Sequence, residues 1–168
     1  MSISYYQSAV TNSIHVLQNL DHLLDLAVTD AAARKIDETV LLQARLFPTM
    51  FPLIRQVRIA CDVAKLGTAR LTGIPAPVFE DDEQSFAQLK ERIAKTIAHL
   101  KTVPESAFVG CAERPIELPH RPNKLFSAPV VLQKFMQPNL YFHVMTVYNI
   151  LRHNGVAVGK NDYLGELS

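Results

Sequence analysis

The chain has 168 residues, 48% of them hydrophobic and 20% charged, which suits one globular domain with a full core. Seventeen Lys and Arg against sixteen Asp and Glu leave no basic surplus to neutralise phosphates, so nucleic acid is not an expected partner. No stretch approaches the roughly 20 apolar residues of a membrane span, and the opening MSISYYQSAV lacks the basic and apolar regions of a signal peptide.

The first periodic stretch runs from Ser4 to about Val28. Ile3, Tyr6, Val10, Ile14, Leu17, Leu20 and Leu24 recur at steps of three and four, one face of a helix. His15, Gln18, Asn19 and His22 fall on a neighbouring polar face. His15 and His22 are separated by about 10 Å along a helix axis, too far for one metal ion, and are expected to be solvated. Asp30 is placed to cap a short connecting helix through Ala31, Ala32 and Ala33.

The second helix is predicted over "FPLIRQVRIACDVAKLGTARLTG". Pro52 suits its start, where a missing N–H costs nothing, and Gly73 suits the left-handed position after its end. Leu53, Val57, Ala60, Cys61, Ala64 and Leu71 form its apolar stripe. Ala60, Cys61, Ala64 and Gly67 are small enough to let a partner helix approach closely, and Arg58 and Asp62 are spaced for a surface ion pair. Cys61 and Cys111 form no CxxC pair. They fit a reducing cytoplasm as buried thiols better than as a bridge.

"GIPAPVFEDDE" then leads into a third helix, which Asp81 or Asp82 can cap, with Phe86, Leu89, Ile93, Ile97 and Leu100 as its core stripe and Pro104 as its stop. The FEDDE run lacks the spacing of a calcium loop, so capping is the better reading of its acids. His99 is placed beside Lys95 on the polar face. Residues 104 to 138 carry six of the ten prolines, which forbids a long helix there. "RPIELPHRPNK", with His120, should be extended and loop-like, and "SAPVVLQKFM" can form one short helix capped by Ser127.

The last helix is predicted to open at Pro138–Asn139, with Asn139 as cap, and to close at "RHNG". Arg152 and His153 there favour the negative end of the dipole, and Gly155 takes the left-handed stop. At about 100° per residue, His143, Thr146, Val147 and Ile150 share one buried face, with Val144, Tyr148 and Leu151 beside it. An imidazole on that face needs polar partners. "VAVGKNDYLG" lacks a glycine-rich phosphate cradle and reads as a tail packing Tyr163 and Leu164 back onto the domain.

There is no GxGxxG, GxSxG or HExxH. Three readings of His143 stay open: a core histidine with a satisfied hydrogen bond, a base or polar anchor in a metal-free pocket, or one ligand of a zinc or nickel ion, which needs about three converging ligands. Gln56 on the second helix is the nearest polar candidate to face it.

"FPLIRQVRIACDVAK", "FEDDEQSFAQLKERI" and "NLYFHVMTVYNILRHNGVAVGKNDYLG" together resemble an uncharacterised bacterial and fungal family in the DinB-like (YfiT-like) superfamily. The resemblance covers most of the chain. It implies an all-α, up-down-down-up four-helix bundle as a single domain over 1–168, here with a proline-rich segment between the third and fourth helices, and frequently a homodimer. Better-studied relatives are metal-dependent enzymes using low-molecular-weight thiols, among them thiol S-transferases and a maleylpyruvate isomerase. Their three histidines lie near the start of helix two and in an HxxxH pair on the last helix. The matching positions here carry His143 followed by Val147, and Gln56 with no histidine near the start of helix two.

The expectation is therefore a cytoplasmic, dimeric DinB-like protein that binds a small molecule between helices two and four, at His143, Gln56 and Tyr148. The alternatives are a divalent-metal-dependent, thiol-dependent transferase or isomerase with a degenerate histidine triad, and a non-catalytic dimeric structural module.

Overall fold

The structure, a computed structural model, describes residues 4–166. Ile3 and the start of the MSISYYQSAV segment lie outside the described residues. Four long helices carry the fold: α1 (Asn12–Arg34), α3 (Leu53–Thr72), α4 (Phe86–Thr102) and α6 (Gln137–His153). They touch in a ring, α1 against α4, α4 against α3, α3 against α6 and α6 against α1. Short helices α2 (Glu38–Leu42), α5 (Ala128–Val131) and α7 (Lys160–Leu164) fill the connections, with a two-stranded antiparallel hairpin, β1 (Ile116–Leu118) and β2 (Arg121–Phe126). No described helix is long and apolar enough to cross a membrane.

The first helix outruns its expected end. Tyr5 and Tyr6 are helical, a π-turn spans Gln7–Thr11, and α1 continues to Arg34, so Asp30 caps nothing. Ala31 to Ala33 are the best helix formers available, and Asp30 accepts from Arg34 Nε at 2.7 Å, one turn on. The stop is a left-handed Lys35 (φ 55°), with Ile36 N–H donating to Ala31 O and Lys35 N–H to Ala32 O. Asp37 is the cap of α2, accepting from Thr39 N–H at 2.8 Å.

Helix α3 has the expected bounds: Pro52 at the N-cap, Gly73 left-handed at φ 81°. Its small face is buried, and a Cβ on Gly67 would stand 2.6 Å from Met136 Cγ and Sδ. Arg58 does not pair with Asp62. It reaches Glu83, and Asp62 pairs with Lys65 and Arg92 instead. The cap of α4 is Ser85, accepting from Gln88 N–H at 3.2 Å, and neither Asp81 nor Asp82. Asp81 has gone to Arg92, a partner from the following helix that local spacing does not show. His99 is half-buried rather than exposed, and burial, then the Lys65 charge, holds it below its ordinary pKa.

Two expectations for residues 104 to 153 also give way. "RPIELPHRPNK" is extended, but its two halves pair as the β hairpin, with Ile116 opposite Phe126 and His120 exposed at the turn. The last helix does not open at Asn139: helical backbone runs unbroken from Ala128, through a π-turn at Leu132–Met136, into α6. In that turn Gln137 N–H reaches back five residues to Leu132 O. A proline inside a helix leaves a missing donor and a crowded turn, and the wider π-turn just ahead of Pro138 accommodates both. It also sets Met136 against the notch at Gly67.

Candidate functional site

The α3–α6 seam brings Gln56 and His143 together. Pro52 starts α3 without an N–H to satisfy, and one turn on Gln56 folds back so that its Nε2 donates to Phe51 O at 3.0 Å. That leaves the amide oxygen turned inward, where it meets His143 Nδ1 at 2.6 Å. A carbonyl oxygen only accepts, so the ring proton sits on Nδ1 and Nε2 carries the lone pair. His143 is 8% exposed, and burial pushes its pKa down to about 4. The imidazole is therefore neutral near pH 7.

Beside it lies a cavity of about 200 Å³ lined by Thr49, Met50, Phe51, Gln56, Phe142 and His143. Among the described residues Nε2 has no hydrogen-bond partner, and it is not sealed from solvent. The site can thus accept one hydrogen bond inside a largely apolar, aromatic pocket. Tyr148 does not take part. Five residues beyond His143 on α6 it is rotated by about 140°, and its ring packs against Tyr163 at 6.2 Å. Thr49, Met50, Phe51 and Phe142 were not among the residues expected from the sequence. Two signals pointed to them: Phe142 adjoins His143, and Met50–Phe51 immediately precede the proline that starts α3.

The donors here do not suit zinc or nickel. They are one imidazole nitrogen and one amide oxygen already engaged by that imidazole, while the HxxxH position holds Val147, fully buried and apolar. Among the described residues no three His, Cys, Asp or Glu side chains come together as metal ligands.

His22 is exposed as expected and His15 half-buried, and both also touch the C-terminal segment: His15 Nε2 lies 2.8 Å from Leu164 O and His22 Nε2 3.2 Å from Asp162 Oδ1. A second buried polar group lies across α3. Arg92, 2% exposed, donates from Nη1 to Glu83 Oε1 at 2.8 Å and to Glu80 O at 2.9 Å, and from Nη2 to Asp62 at 3.1 Å. Arg58 holds the other Glu83 oxygen at 2.7 Å. Burial alone would raise the Glu83 pKa, but the hydrogen bonds from Arg92 and Arg58 outweigh it and hold the carboxyl below its ordinary value. Cys61 and Cys111 are both buried free thiols, and burial pushes Cys61 up to about 12, so it is inert.

Comparisons with known proteins agree with this architecture. A solved structure described as a DinB family member from Shewanella denitrificans superposes with a TM-score of 0.93 at 43% identity, covering 96% of this chain and 92% of that one. No curated protein matches the chain. The family model described as a domain of unknown function, DUF1993, matches residues 5–164. The chain belongs to the DUF1993 family, a group of DinB-like helical proteins.

Proposed function

We propose that this protein binds a small, largely apolar molecule bearing one hydrogen-bond donor in the cavity between α3 and α6. The observation that carries the reading is the neutral His143 ring, pinned through Nδ1 by Gln56, with its Nε2 lone pair left for a ligand. An apolar cavity of about 150 Å³ takes benzene, so a cavity of about 200 Å³ suits a single ring or short chain. A phenol, alcohol or thiol fits both demands. Phenol and toluene differ by one donor and separate its contribution. Phenol should raise the apparent stability of the protein by mass action more than toluene does. His143→Ala should erase that difference. Equal stabilisation by the two compounds in the parent protein would sink the proposal.

The mouth of this cavity supports a dimeric assembly as part of the same reading. Phe51 and Phe142 line it while 43% and 56% exposed. A second copy covering the mouth would shelter these rings, and sedimentation of Phe142→Asp as a monomer beside a dimeric parent would be the expected result. A monomeric parent protein would dismiss it. The up-down-down-up order of a DinB-like bundle fits the ring of contacts among the long helices, and free, separate cysteines fit a reducing cytoplasm.

A further inference from the structure

A second apolar cavity, larger than the one at His143, lies between α1, the start of α6 and the C-terminal segment. It has a volume of about 370 Å³ and is walled by Asn12, His15, Val16, Tyr141, Tyr163 and Leu164. Pockets of roughly 300–1,000 Å³ are the usual size for small-molecule sites. Its chemistry differs from that at His143. Asn12 Nδ2 donates to the Tyr141 hydroxyl at 2.8 Å, which occupies the phenol oxygen as an acceptor and leaves its proton free to donate. The Tyr163 hydroxyl has no hydrogen-bond partner among the described residues, and burial, then the neighbouring Tyr141, raises its pKa, keeping it a protonated donor.

The outer wall is a strap. Helix α7 starts where Gly159 N–H donates to Asp162 Oδ2 at 2.7 Å, and its C-terminal carbonyls are gripped from α1. Asn19 Nδ2 donates to Tyr163 O at 3.1 Å and to Leu164 O at 2.9 Å, and His15 Nε2 donates to Leu164 O. Gly165 follows at φ 68°, pressed against the Asn19 amide, where a Cβ has no room. These polar side chains are spent on holding the strap. The cavity lining is mostly apolar, and the polar groups among its walls not taken up by the strap are Asn12 and the two phenols of Tyr141 and Tyr163.

We infer that this cavity is a second ligand site, selective for a flat apolar molecule carrying a neutral hydrogen-bond acceptor such as a carbonyl, received by the Tyr141 and Tyr163 hydroxyls beneath the α7 strap. No Lys or Arg stands among its walls, and His15 Nε2 is already engaged by Leu164 O, so a carboxylate would enter without a permanent cationic partner and is disfavoured. The site is independent of the His143 cavity, which offers an acceptor and calls for the opposite ligand chemistry.

Acetophenone, an acceptor with no donor, is a suitable probe, with toluene as its counterpart. In the full-length protein, nuclear Overhauser contacts from the acetophenone methyl group should reach the Tyr141 and Tyr163 rings. The double variant Tyr141→Phe, Tyr163→Phe should bind acetophenone about tenfold more weakly, the scale of a lost hydrogen bond or two, and toluene unchanged. His143→Ala should leave acetophenone affinity as it was. Gly165→Ala, which dislodges the strap, should weaken acetophenone as the double variant does. Contacts to Phe142 instead of the tyrosines, no contact at all up to the solubility limit, or unaltered affinity in either tyrosine or glycine variant would overturn the assignment.

Discussion

Helix α3 buries polar groups on both of its flanks, and the two flanks handle them differently. Toward α4, Glu83 is held by two arginines, and Arg92 in turn by Glu83, Asp62, Asp81 and a backbone carbonyl. Toward α6, Gln56 and His143 satisfy each other once and leave Nε2 open beside a cavity. A buried charge without partners costs far more than a buried neutral ring with one open lone pair. The α4 flank therefore pairs each of its buried charges with an opposite charge, leaving only Arg92 Nε without a hydrogen-bond acceptor among the described residues. The α6 flank can stay open because its histidine is neutral. What distinguishes the candidate site from the structural cluster in this molecule is an open lone pair on a neutral ring that borders a cavity, whereas the unpartnered Arg92 Nε is sealed in the core.

The strongest way to break that contrast is Glu83→Gln. It removes the one carboxylate shared by Arg58 and Arg92 and should cost about 3–5 kcal/mol, read as a fall in the urea midpoint. The dependence on pH carries a sign. Glu83 has a lower pKa folded than unfolded, so the stability it contributes is present above the ordinary carboxylate range and lost as pH falls through its lowered folded value. The parent protein should thus lose more stability between pH 7 and pH 3 than Glu83→Gln does. Parallel curves would mean that the carboxylate contributes nothing.

A smaller effect is expected on the other flank. Gln56→Leu fills the same space but deprives His143 Nδ1–H and Phe51 O of their partner, which should cost about 1–3 kcal/mol. It should also free the ring to exchange tautomers, so phenol binding weakens even though every other cavity wall is intact. Stability close to that of the parent protein, with phenol affinity retained, would show that Gln56 does not position the histidine.

How much of this was legible in the sequence follows the range of each interaction. Pro52, Gly73 and Gly155 marked helix ends because proline geometry and left-handed glycine act within one turn. The buried face of α6 and the meeting of Gln56 with His143 were also readable, since helical periodicity fixes which side chains look inward. The caps were not. Asp81 was a plausible cap until Arg92, eleven positions on and in the next helix, claimed it, and Ser85 took the role. Asp30 failed for a local reason: the alanine run and Arg34 extend the helix through it. Tyr148 lies near His143 along the helix, but the ring it packs against, Tyr163, comes from the tail and leaves no trace in local spacing. The π-turn before Pro138, which joins two predicted helices into one, had no signature in the pattern of apolar residues.

The most direct test of the open lone pair is the protonation of His143 followed by long-range ¹H–¹⁵N NMR from pH 7.5 down to pH 4. The expected result is a ring with its proton on Nδ1 and a bare Nε2, unchanged until the pH approaches about 4. Because the unfolded chain would take up that proton near pH 6.5, stability should fall as the pH drops between those values. A ring protonated on Nε2, or one that titrates near 6.5 like a solvated histidine, would contradict the site.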